Sequence, residues 1–131
     1  MDNKKEPNYS PYNGLTIGII AEVEDFNLFT DDKKCFTLLR DMCTSFGLNV
    51  VNFATHVFPQ TQEQTCSGIS MVLLLAESHI SIHTWPEKKT FRLILDSCVN
   101  IEHNEVLLYV LNVFCNNPQN VHFWVERWKK S

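Results

Sequence analysis

Met71-Val72-Leu73-Leu74-Leu75-Ala76 runs directly into Glu77-Ser78-His79-Ile80-Ser81-Ile82-His83-Thr84-Trp85-Pro86-Glu87. The first six residues are unbroken apolar and demand burial. After them Ile80 and Ile82 point one way, and His79, Ser81, His83 and Trp85 point the other. That is the alternation of a strand with one buried face. Pro86 stops it. On residue types alone the polar face reads as the wet side of a strand edge. A metal reading also exists, because His79 and His83 share that face. It lacks a third ligand at recognised spacing, and His-x-x-x-His favours a metal mainly on a helix.

Upstream, residues 1–13 are polar, with Pro7 and Pro11 followed by Gly14. They read as a flexible arm, leaving 14–131 as a single domain. Residues 15–22 alternate, with Leu15, Ile17, Ile19 and Ala21 on one face of a strand. Glu22, Glu24 and Asp25 end it in a solvated turn. Asp31 and Asp32 suit the positive start of a helix. Cys35, Phe36, Leu39, Met42, Cys43 and Phe46 then follow its period, and Gly47 caps it. Cys35 and Cys43 are therefore expected to be core residues. Residues 48–58 read as a second strand and 59–67 as a polar loop.

Downstream, Lys88-Lys89 makes an exposed turn. Residues 90–98 form a strand with Arg92, Ile94, Asp96 and Cys98 on one face and Phe91, Leu93 and Leu95 on the other. Asn100 is expected to cap a helix carried by Val106, Leu107, Val110, Leu111 and Phe114 and ended near Pro118. Residues 121–128 alternate as a last strand, whose His122, Trp124 and Trp128 face suits either the core or a subunit contact. The order β-α-β-β-β-β-α-β predicts an α+β, two-layer sandwich: an antiparallel β-sheet with two helices packed on one face. The other face then needs a cover.

The chain's 131 residues, 44% hydrophobic and 20% charged, describe one soluble domain. A net charge of −4 implies no broad attraction to nucleic acid or to an anionic membrane surface. There is no signal-peptide pattern and no apolar run long enough to span a bilayer. The five cysteines are odd in number and contain no Cys-x-x-Cys pair. That favours free thiols in a reducing, cytoplasmic setting.

Glu77 to Glu87 closely resembles the self-cleavage segment of the small bacterial and archaeal S-adenosylmethionine decarboxylases, enzymes of polyamine biosynthesis that make their own prosthetic group. Three more positions fit that family: Ser70, within Gly68-Ile69-Ser70; His83; and Cys98, at the family's spacing from Ser78. The likeness covers about residues 15–127 and is sharp from 68 to 98. It implies cleavage between Glu77 and Ser78, with Ser78 becoming an N-terminal pyruvoyl group, and neither pyridoxal phosphate nor metal. It implies Ser70 and His83 as processing residues, Cys98 as proton donor and Glu87 on the ribose hydroxyls. Trp85 would line the nucleoside pocket or simply pack; Phe58 would stack on the purine or sit in the core. A homodimer of processed chain pairs is implied as well.

The chemistry follows from residue types. A serine hydroxyl attacks its own preceding carbonyl only if the peptide is strained and the oxyanion is stabilised. His83 is a plausible base near neutral pH for the Ser78 α-proton. The resulting ketone forms a Schiff base with a substrate α-amine and acts as the electron sink for decarboxylation.

The sequence also departs from the family. Met71 and Val99 stand where glycines are usual, and the segment from Lys88 to Ser97 is rewritten. Asp96 falls two residues before Cys98, where a carboxylate can bind a cationic side chain. The leading substrate is S-adenosyl-L-methionine, and a basic amino acid, L-arginine or L-ornithine, is the alternative. A non-catalytic regulatory partner subunit is a third possibility. Such a chain would be expected to lose Ser78, His83 or Cys98, and it retains all three.

Overall fold

The computed structural model describes residues 13–62, 66–116 and 118–127. The expected arm (residue 13 aside), residues 63–65 of the polar loop and Trp128 lie outside the described residues.

Six strands form one sheet: β1 (Leu15–Val23), β2 (Val50–Val57), β3 (Ile69–Leu75), β4 (Ser78–Trp85), β5 (Thr90–Ser97) and β6 (Pro118–Arg127). Their order is β2-β3-β4-β5-β1-β6, and every neighbouring pair is antiparallel. Helix α1 (Asp32–Ser45) lies between β1 and β2, and α2 (His103–Tyr109) between β5 and β6. This is the expected α+β sandwich.

Alternation decides which face is dry. Ile17, Ile19, Met71, Leu73, Ile80, Ile82, Phe91, Leu93 and Leu95 are buried with Leu39 and Met42 of α1 and Val106 of α2 in a single core. Cys35 and Cys43 are both buried in it, where burial pushes their thiols up to about 12 and about 11. Removing this apolar surface from water is the main force holding sheet to helices.

Asp31 caps α1, its carboxylate accepting from Lys34 N–H at 2.8 Å. Just past its C-terminus Gly47 takes φ +70°, a conformation that costs any residue with a Cβ. Asn100 does not cap α2. The helix starts later, with Glu102 at the cap and no side-chain cap bond, and the Asn100 side chain accepts instead from Arg127 Nη1 at 3.2 Å. Beyond Tyr109 the helix widens into a π-turn, Val110–Phe114. That turn carries Phe114 onto Phe91 and Phe29, with ring centroids 5.8 and 6.2 Å apart.

The opposite face of the sheet is open. It carries Val72, Leu74 and Trp124, all partly exposed, among His79, Ser81, His83, Arg92, Asp96 and His122. The Trp124 ring lies where a Cβ on Gly18 would sit, so the glycine makes room for it. The His122 and Trp124 face of β6 is thus the open one, outside the core.

Candidate functional site

The link between β3 and β4 is a two-residue turn, Ala76-Glu77, closed by the pair Leu75 and Ser78. Its short reach forces unusual geometry. Ser78 has φ +151°, a sparsely populated region for a residue with a side chain and one that stores strain. The turn is also clamped. Glu77 is only 2% exposed. Its carboxylate accepts from the Asn49 backbone N–H at 3.1 Å and from Asn49 Nδ2 at 2.9 Å. The Asn49 carbonyl in turn accepts from Ala76 N–H at 2.9 Å. A buried carboxylate is tolerable because charged hydrogen bonds satisfy it.

Around the Glu77–Ser78 peptide three groups converge. The Glu77 carbonyl oxygen accepts from the backbone N–H of Cys98 at 2.9 Å. The Ser78 hydroxyl donates to Asp96 Oδ1 at 3.1 Å, and His79 Nδ1 lies 3.4 Å from Ser78 Oγ. Asp96 Oδ2 accepts from Thr16 Oγ1 at 3.4 Å. Nucleophile, acceptor and carbonyl donor thus stand together, and Cys98 arrives because β5 pairs Ser97 with Ser78.

The second group of residues stands at the other end of β4. Ser70 and His83 are cross-strand partners, with Ser70 Oγ 3.1 Å from His83 Nδ1. Burial, and then the nearby Arg92 guanidinium, lower the His83 pKa from 6.5. The imidazole is therefore neutral near pH 7 and able to act as a base. Beside it a cavity of about 260 Å³ is lined by Phe58, Gly68, His83, Thr84, Trp85, Pro86 and Glu87. His83 and Trp85 rings lie 5.4 Å apart, Phe58 is 6.2 Å from His83, and the Arg92 guanidinium sits 5.8 Å from the Trp85 ring centre. Phe58 is exposed, so it belongs to this aromatic wall and not to the core.

The sequence-predicted residues therefore fall into two clusters. Ser78, Glu77, Asp96 and Cys98 form one; Ser70, His83, Trp85, Glu87 and Phe58 form the other. At about 3.3 Å per strand residue, five steps along β4 separate Ser78 from His83 by about 16 Å. The same rise holds His79 and His83 about 13 Å apart, which rules out a shared metal ion between them. Among the described residues no group of three or more His, Cys, Asp or Glu is placed to hold one. Asn49 and Thr16 escaped sequence reasoning: one precedes a strand and the other sits within one, with no motif marking either.

These clusters sit on a chain whose residues 18–126 match the S-adenosylmethionine decarboxylase family. The chain belongs to that family. It is 47% identical over 51 residues to an S-adenosylmethionine decarboxylase proenzyme of Methanococcus aeolicus, covering 38% of each chain. A proenzyme of the same name from Syntrophomonas wolfei is 33% identical over 72 residues, covering 53% of this chain and 52% of that one. The matched stretches thus span about half or less of these curated relatives. Among solved structures, the adenosylmethionine decarboxylase of Aquifex aeolicus shares the fold. Its TM-score is 0.73 at 24% identity, over 93% of this chain and 95% of that one.

Proposed function

We propose that this family member is a self-processing, pyruvoyl-dependent decarboxylase that acts on S-adenosyl-L-methionine in polyamine biosynthesis. The observation that carries the reading is the Glu77–Ser78 turn: a positive-φ serine whose preceding carbonyl already holds the Cys98 N–H at 2.9 Å. Such a donor stabilises the oxyanion that forms when the hydroxyl attacks.

The residues present suit a pyruvoyl group at position 78. The buried Glu77 side chain anchors the chain on one side of the bond, and Cys98 and Asp96 stand on the other. Such a group supplies a ketone for an α-amine and an electron sink during loss of carbon dioxide. Cys98 is the proton donor to the α-carbon. Phe58 and Trp85 stack on the purine, and Glu87 binds the ribose hydroxyls in the aromatic cavity.

Ser70 and His83 supply the base and the polarising hydroxyl that complete processing. Since they stand about 16 Å from Ser78 of their own chain, they serve a second copy. A homodimer joining the Ser78 end of one chain to the His83 end of its partner makes both sites whole. It also covers the open face with its exposed Val72, Leu74 and Trp124. The five cysteines, none of them in a disulfide, suit a reducing, cytoplasmic setting, and the net charge of −4 suits neither nucleic acid nor an anionic membrane surface as partner.

One observation favours a second substrate class. Asp96 places a carboxylate 3.1 Å from the Ser78 hydroxyl, where the cationic side chain of L-arginine or L-ornithine would find a partner. Carbon dioxide release from carboxyl-labelled substrates separates the two. Turnover of S-adenosylmethionine alone supports the leading reading; turnover of arginine or ornithine alone replaces it.

A further inference from the structure

We propose that Asp96 is the catalytic base of the first step of self-cleavage and acts within a single chain. The inference rests on the reading of Ser78 as the cleavage residue and adds the group that activates it.

The Ser78 hydroxyl donates to Asp96 Oδ1 at 3.1 Å. Thr16 donates to the other carboxylate oxygen at 3.4 Å and so fixes the orientation of the carboxylate. Ser70 and His83, the other base-bearing pair, stand at the far end of β4 and cannot touch this hydroxyl without a second chain. His79 Nδ1 also lies near, but at 3.4 Å and on an exposed side chain. Asp96 is the closer acceptor and the less exposed of the two.

The step balances without any other reactant. Asp96 takes the Oγ proton as that oxygen bonds to the Glu77 carbonyl carbon, and the Cys98 N–H steadies the negative oxygen. The carbon–nitrogen bond of the Glu77–Ser78 amide breaks, and the proton passes from Asp96 to the departing Ser78 nitrogen. An amide has become an ester, with no atom gained or lost and the carboxylate restored. Relief of the strained φ at Ser78 favours the change. Only the later loss of the α-proton then waits for a partner.

The test isolates that first step. In a His83→Ala chain, ester formation is the last step open. Brief exposure of the folded protein to hydroxylamine should cut the ester and release residues 1–77 as a hydroxamate and a serine-started 78–131. Adding Asp96→Asn should slow that release about 100-fold or more, the usual scale of a general base. Asp96→Glu should recover part of the rate, and His79→Ala should leave it near the parent value. Thr16→Val, a milder change, should slow release by a smaller factor. A thermal melt of each variant reports whether the fold is kept. Undiminished ester in Asp96→Asn overturns the proposal, as does normal processing followed by lost turnover, which would make Asp96 a substrate group. A wild-type chain that never cleaves sinks the Ser78 reading itself, whereas wild-type cleavage with normal ester in Asp96→Asn sinks only this inference.

Discussion

Asn49 and Glu77 show how much of the site depends on residues that carry no chemistry themselves. Asn49 Nδ2 donates to a carboxylate that is 2% exposed. Asn49→Ala leaves that charge short of a donor and should cost about 1.5–3 kcal/mol. Urea unfolding in a Ser78→Ala background, where cleavage cannot intervene, measures it; an unchanged midpoint would contradict the clamp. At His83 the sign is set by burial and then by Arg92, which together depress the pKa. Protonation therefore favours the unfolded chain: the stability linked to His83 is intact above about pH 6.5 and falls as pH drops through the folded value. Arg92→Gln should raise the imidazole pKa part of the way back, read as an upward shift of its NMR titration. Ser70, Ser78, His83 and Cys98 were legible in the sequence as a motif. The separation of Ser70 and His83 from Ser78 was not, because a motif gives spacing along the chain whereas β4 keeps its ends apart in space.

Elements were legible wherever a period was strong. The alternation in β4 and the i, i+3, i+4 pattern of α1 found their faces because burial on one side selects them. The start of α2 was misjudged because Asn100 reads as a cap, yet its side chain is taken by Arg127. The π-turn at Val110–Phe114 was invisible, since one wider turn barely disturbs an apolar pattern. It nonetheless seats Phe114, which is fully buried, against Phe91 and Phe29. Phe114→Ala should destabilise the domain by about 3–5 kcal/mol. A thermal or urea transition close to wild type would show that the π-turn does not anchor α2.

For the molecule as a whole, the two clusters at opposite ends of β4 and the open face with its exposed Val72, Leu74 and Trp124 are what support the proposed second copy. Mixing two inactive chains tests it. A Ser78→Ala chain keeps Ser70 and His83, and a His83→Ala chain keeps Ser78 and Asp96. Neither should complete processing alone, but co-refolded chains should cleave the His83→Ala partner and no other. No cleavage in the mixture, with wild type cleaving normally, would place the complete site within one chain. That the sheet is antiparallel with both helices on one face could be read from the order of elements; the order of strands within it could not, because alternation names a strand's faces and not its neighbours. How the proposed second copy would seat on the open face could not be read either, because such a pairing lies in surface complementarity between copies. The central claim remains the bond between Glu77 and Ser78, and an intact mass of the purified wild-type chain under denaturing conditions addresses it most directly. Two fragments are expected: residues 1–77, and a blocked 78–131 lighter by one ammonia than a serine-started fragment. A single full-length mass would contradict the account and leave the chain without the group its proposed chemistry needs.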